Sequence, residues 1–214
     1  MKFTLTASLI AAFLISCADP AAITRFGIGS NTSGSNPNTS DTKDPFGKAD
    51  EGQPGCVGQV YALPAGTNKL PIDFDSMEPL STIVAENGFN IPVRAFEEGF
   101  PGIPNLFEWF AIRYRCILVT PEGEQGLYNF RLNSDDGSKL FIDGKLVVNN
   151  DGTHPAQVAD GSIQLAAHSK HAIELQYFQG PRYHIALQLF WKRPLMMDIK
   201  NFEIIPGKYF FRWN

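Results

Sequence analysis

Apolar and polar side chains alternate along residues 109–119. Ile112, Tyr114, Cys116 and Leu118 fall on one side of an extended chain, with Arg113 and Arg115 on the other. The same period of two recurs further on. Tyr128, Phe130 and Leu132 oppose Asn129 and Arg131 in 127–132. Ile173, Leu175 and Tyr177 oppose Glu174 and Gln176 in 171–179. Ile185, Leu187 and Leu189 alternate with Gln188 in 184–191. Residues 139–142 and 145–148 flank Asp143-Gly144, a dipeptide that tolerates the positive φ of a two-residue hairpin turn. Short strands are also expected at 59–63 and 162–165. A terminal hairpin is expected from 202–205 and 209–213 around Pro206-Gly207. The Pro-rich stretch 68–105 reads as irregular chain packed across the sheets. No segment shows a capped 3.6-residue period. Many short strands with close turns predict an all-β fold, an antiparallel β-sandwich.

Composition sharpens this. The 214 residues are 43% hydrophobic and 19% charged, which excludes wholesale disorder and a polytopic membrane protein. The 17 Phe, 19 Gly and 15 Pro suit pleated surfaces and turns. A net charge of −4 leaves no basic excess for phosphate, so no nucleic-acid partner is expected.

The first 54 residues read differently. Lys2 and the apolar run to Ile15 have the length of an export signal and are too short to span a bilayer. Residues 1–16 are therefore assigned as signal peptide. Leu14-Ile15-Ser16-Cys17 resembles the lipobox of bacterial lipoproteins, in which the Cys thiol is acylated and the chain is cut before it. Cys17 is the expected lipidation site and membrane anchor, carrying palmitate-type chains. An acidic residue directly after such a Cys marks inner-membrane retention. Asp19 stands one place later, so the outer membrane is the expected location in a bacterial envelope. Residues 17–54 form the lipidated Cys and a flexible linker. The span 27–40 has almost no large apolar side chains to offset its ordering entropy. The sandwich, with a C-terminal extension, is assigned to 55–214. Cys56 and Cys116 lie within it. Export permits a disulfide between them, and two separate thiols are the equal alternative.

Enzyme templates are missing. There is no Gly-x-Ser-x-Gly, His-Glu-x-x-His or phosphate loop, so no enzymatic activity is expected. His168 and His171 lack a nearby Cys or carboxylate in sequence to complete a zinc site. Glu97 and Glu98, adjacent in extended chain, point apart. The segment Asn133-Ser134-Asp135-Asp136-Gly137-Ser138-Lys139 stands out. Two adjacent carboxylates on a loop repel unless solvated, protonated or neutralised, and Ca²⁺ suits such oxygens. By spacing alone an ordinary Asp-rich turn is the simpler reading.

Residues 128–148, with Asn133-Ser134-Asp135-Asp136-Gly137-Ser138-Lys139-Leu140-Phe141-Ile142-Asp143-Gly144 at their centre, resemble the signature of the PA-fourteen domain, named after bacterial protective antigen. The resemblance runs on through Asn150-Asp151-Gly152-Thr153-His154, residues 161–165 and 174–180, and Ala186-Leu187-Gln188-Leu189-Phe190-Trp191. It covers roughly 56–193, with Cys116 where a Gly is common. It implies a β-sandwich that binds carbohydrate in many members. In the sugar-binding adhesins two Asp residues, joined by a cis peptide, hold Ca²⁺, which chelates sugar hydroxyls. Asp135 and Asp136 stand at those positions. The implied third ligand is Gln179, where the adhesins usually carry Asn. Arg182 and Tyr183 follow as sugar-contacting residues, Tyr for stacking and Arg for hydroxyls or carboxylates. The expected function is Ca-assisted binding of a glycan or cell-surface polysaccharide by an envelope lipoprotein. The alternative is a non-catalytic structural or protein-interaction module whose protein partner the sequence does not name.

Overall fold

The computed structural model describes residues 49–71, 73–196 and 201–213. The signal segment, Cys17 and most of the assigned linker lie outside the described residues. Among the described residues thirteen strands run in the order β1 (Ala49–Pro54), β2 (Cys56–Ala62), β3 (Ser81–Ala85), β4 (Asn90–Ala95), β5 (Phe110–Val119), β6 (Gly126–Asp135), β7 (Ser138–Ile142), β8 (Lys145–Asn150), β9 (Gln157–Leu165), β10 (Lys170–Gln179), β11 (His184–Lys192), β12 (Glu203–Ile204) and β13 (Phe210–Trp213).

They form two antiparallel sheets. The eight-stranded sheet has the order β1-β13-β5-β10-β7-β8, with β2 also on β5 and β3 beyond β2. The five-stranded sheet has the order β12-β11-β6-β9, with β4 also on β11. The alternation explains the layers. Ile112, Tyr114, Cys116 and Leu118 of β5 and Leu175 and Tyr177 of β10 face inward from one sheet. Tyr128, Phe130 and Leu132 of β6 and Ile185, Leu187, Leu189 and Trp191 of β11 meet them from the other. Burying each such side chain stabilises the fold by about 1.5–3 kcal/mol before entropy is charged. A disulfide joins Cys56 of β2 to Cys116 of β5 inside this core. The loop between β2 and β3 lays Leu63, Leu70 and Phe74 over the outer face of the larger sheet against Tyr61, Ala111 and Phe178.

The structure departs from the sequence pattern in three places. β1 lies within the stretch assigned to linker and pairs with β13, so the sheet begins before residue 55. The stretch 68–105 holds two strands, β3 and β4. Both are edge strands with half-exposed residues and little alternation to reveal them, and β4 contains Pro92. Residues 202–213 are no hairpin. β12 pairs with β11 in one sheet and β13 with β5 in the other, because the chain crosses between layers at Pro206-Gly207.

Candidate functional site

Asp135 closes β6 and Asp136 opens the turn into β7; their peptide bond is cis. The turn is tight because Gly137 has no side chain. A Cβ there would stand 2.7 Å from Gly152 N and 2.5 Å from a Phe178 ring carbon. Both carboxylates are buried, Asp135 6% and Asp136 3% exposed. Main-chain amides aim them. His154 N–H donates to Asp136 Oδ1 (3.0 Å) and Gly180 N–H to Oδ2 (2.8 Å), while the Ala156 amide faces Asp135 and favours its charged form. Gly180 allows this approach, since a Cβ would lie 3.1 Å from Asp136 Oδ2. Beneath, Ser134 and Ser138 hydroxyls share a 2.7 Å bond and Asn150 Nδ2 donates to Ser134 Oγ, so the turn rests on a satisfied polar base.

Burial, and then the Asp136 charge, push the Asp135 carboxyl up to about 6. Burial also raises Asp136, against the amides of Gly180 and His154 that lower it. Burial and mutual repulsion thus disfavour ionising the two carboxyls together. The pair forms part of the wall of a hollow of about 420 Å³ that Thr153, His154 and Pro155 close on one side and Pro181, Arg182, Tyr183 and His184 on the other.

The structure thus gathers Asp135, Asp136, Arg182 and Tyr183 at one hollow. Tyr183 stands on its rim, 79% exposed. Arg182 departs from the expected free contact residue. Its guanidinium Nε pairs with Glu108 Oε2 (3.1 Å), its amide donates to Oε1 (3.0 Å), and it lies 5.3 Å from the Phe96 ring centre. Gln179 departs further from the ligand reading. It is fully buried and does not line the hollow. Its Oε1 accepts from the Tyr177 hydroxyl, which also serves the Asp135 carbonyl, and its Nε2 donates to the carbonyls of Pro181 and His184. With both ends of the carboxamide engaged, Gln179 braces the loop. Glu108, Phe96 and the 153–156 wall were missed in the sequence reading. The run Asn150-Asp151-Gly152-Thr153-His154 was the signal that could have found the wall.

Among the described residues no group of three or more His, Cys, Asp and Glu is arranged to hold a metal. The donor set fits a hard cation in part: two buried carboxylates with oxygen lone pairs left over, and no third side chain. A cation held there takes its remaining oxygens from main chain, water or ligand.

Two antiparallel sheets closed at one end by a cis Asp-Asp turn and a facing loop define a β-sandwich domain. Residues 108–201 match the model of the PA14 domain, the PA-fourteen family. No curated protein matches the sequence. Solved structures with the same fold include the PA14 domain of the MpAFP antifreeze protein, with TM-score 0.61 and 16% identity over 82% of this chain and 96% of that one. The PA14 sugar-binding domain from an RTX adhesin follows, with TM-score 0.56 and 18% identity over 76% and 99%. An anti-sigma factor domain-containing protein from Clostridium clariflavum has TM-score 0.55 and 20% identity over 74% of this chain. The chain spans about half the length of that relative, 47%. At these identities the likeness is one of fold.

Proposed function

We propose that this domain binds a glycan with the help of a Ca²⁺ ion held by Asp135 and Asp136, and that Cys17 carries the lipid that anchors it to a bacterial envelope, the outer membrane first. One observation carries the binding reading. Two buried, adjacent carboxylates, both raised in pKa, are aimed by backbone amides at a hollow with an exposed Tyr on its rim. A divalent cation relieves that charge, and its open positions accept the hydroxyls of a sugar, which water otherwise outcompetes. The sugar-binding PA14 domain of the RTX adhesin supports the ligand class. Two carboxylates without a third side chain correspond to weak Ca²⁺ binding, on the order of 10⁻⁴–10⁻³ M. Arg182, neutralised by Glu108, offers its stacked plane and edge to hydroxyls rather than an unpaired charge to an acidic sugar.

The test is a glycan array on the mature protein with Ca²⁺ and with chelator, beside Asp135→Asn. Binding that needs both the ion and the carboxylate supports the reading. Ca²⁺ binding without any glycan turns the domain into an interaction module, and no Ca²⁺ binding at millimolar concentration removes the site. Palmitate labelling that survives Cys17→Ser would refute the anchor.

A further inference from the structure

At the Lys170 end of β10, Ser169 and His171 line up with Asp143, which lies 28 positions from His171 in sequence. Ser169 Oγ lies 2.7 Å from His171 Nε2, and His171 Nδ1 lies 2.7 Å from Asp143 Oδ2. The surrounding bonds show which groups compete for these protons. Thr120 Oγ1 accepts the Ser169 amide (2.9 Å) and donates to Ala166 O (2.7 Å). Asp143 Oδ1 accepts the Ala172 amide (2.8 Å). Ser169 Oγ lies 2.8 Å from Ala166 O and 2.7 Å from Nε2, so its one proton turns to either; Thr120 already serves Ala166 O, which keeps that carbonyl satisfied when the proton turns to Nε2. A single neutral imidazole, protonated on Nδ1 and facing the carboxylate, then satisfies every member. This is the arrangement by which a base activates a hydroxyl and a carboxylate orients the base. Ser169 is half-buried and sits beside exposed His168 and Lys170, within reach of small molecules.

We propose that Ser169 is an activated nucleophile that accepts acyl or phosphonyl groups from small activated esters, with His171 as its base and Asp143 as a positioning residue. This is independent of the glycan reading. In the step, a bond forms from Oγ to the carbonyl carbon while the Oγ proton passes to Nε2. The ester C–O bond then breaks, and the leaving alcohol takes that proton. An acyl-serine and an alcohol result, and water hydrolyses the acyl-serine by the same route. The nearby amides of His168 and Ser169 are already spent on Pro121 O and Thr120 Oγ1, so they build no oxyanion hole. A missing oxyanion donor costs about 10²–10³-fold in rate. Ser169 is therefore slow and spares amides.

The experiment treats the full chain with a fluorophosphonate probe, whose fluoride leaves as the Oγ–P bond forms, and maps the adduct by mass spectrometry. Labelling should concentrate on Ser169, at least about tenfold over any other hydroxyl, and vanish in urea. His171→Gln should slow it about 10²-fold, the lower end of a general base's contribution, and abolish its pH dependence. Asp143→Asn should slow it less and move the midpoint of that dependence. Where Ser169→Ala fails to fold, Ser169→Cys is used instead. Its alkylation by iodoacetamide should slow when His171→Gln is added. Adducts spread evenly over serines, or rates indifferent to His171 in a folded protein, would overturn the proposal. In that case the 2.8 Å approach of Ser169 Oγ to Ala166 O marks an ordinary turn bond.

Discussion

The two ends of β10 handle polar groups in opposite ways. The strand is ten residues long, so the ends lie about 30 Å apart. At the Gln179 end, main-chain amides hold Asp136, and among the described residues neither it nor Asp135 has a cationic partner in direct contact. At the Lys170 end, Asp143, His171, Ser169 and Thr120 satisfy one another through side chains. Backbone donors fix direction and leave charge unmatched, so the first end is primed for an outside cation. Mutual side-chain bonding leaves little unmatched there, and what the second end offers is a proton path.

Losing one carboxylate should have the largest effect on this contrast. Asp135→Asn and Asp136→Asn are each expected to weaken Ca²⁺ binding at least about 100-fold by calorimetry, since half of the charged ligands go. The metal-free Asp135→Asn protein should also melt higher than wild type at pH 7, by on the order of 1–2 kcal/mol, because a buried carboxylate with a raised pKa costs stability once ionised. A lower melt would show that the charge is already compensated.

Acidity should come next. Asp135 titrates near 6 in the folded, metal-free protein, above its unfolded value. Its protonated form therefore contributes stability that is full below the ordinary carboxylate range and is lost as pH rises through about 6. Ca²⁺ must displace that proton, so its affinity should run the other way, falling about tenfold per unit below pH 6. Calorimetry at pH 5, 6 and 7, paired with melts in chelator, reads both slopes. Slopes of the same sign would contradict the assignment to Asp135.

Thr120→Val separates the two ends. It removes the hydroxyl that accepts from Ser169 N–H and donates to Ala166 O, and should cost about 1–3 kcal/mol in denaturant melts by leaving buried groups unpaired. Ca²⁺ affinity should not change. A parallel loss of Ca²⁺ binding would mean that the ends communicate along the strand. The smallest effect is expected from Glu108→Gln. Freeing the exposed Arg182 should change glycan affinity by no more than about fivefold, with acidic sugars gaining most.

How far these features could be read beforehand depends on the range of the interactions involved. The paired carboxylates were visible because Asp135 and Asp136 are neighbours, and the hairpin at Asp143-Gly144 because both turn residues take the positive φ they favour (50° and 75°). The line from Ser169 to Asp143 was invisible. His171 was set aside for want of a sequence-near partner, yet its carboxylate lies 28 positions away. Gln179 was misassigned for a related reason. A carboxamide beside a site reads as a ligand until Tyr177, on the same face of the strand, takes its oxygen.

The amino-acid order by itself determined which residues face the core, because a period of two in an extended chain sorts side chains regardless of what lies opposite. It also set the tight turn at Asp136-Gly137 and, among the described residues, the absence of long helices. Tertiary structure alone decided the rest. It split β12 and β13 between two sheets, brought Glu108 onto Arg182 and turned Gln179 from the hollow into the loop. Those outcomes follow from contacts between segments many residues apart. Their energies arise only once burial forces each polar group to find a partner, and no local pattern encodes which partner will be in reach.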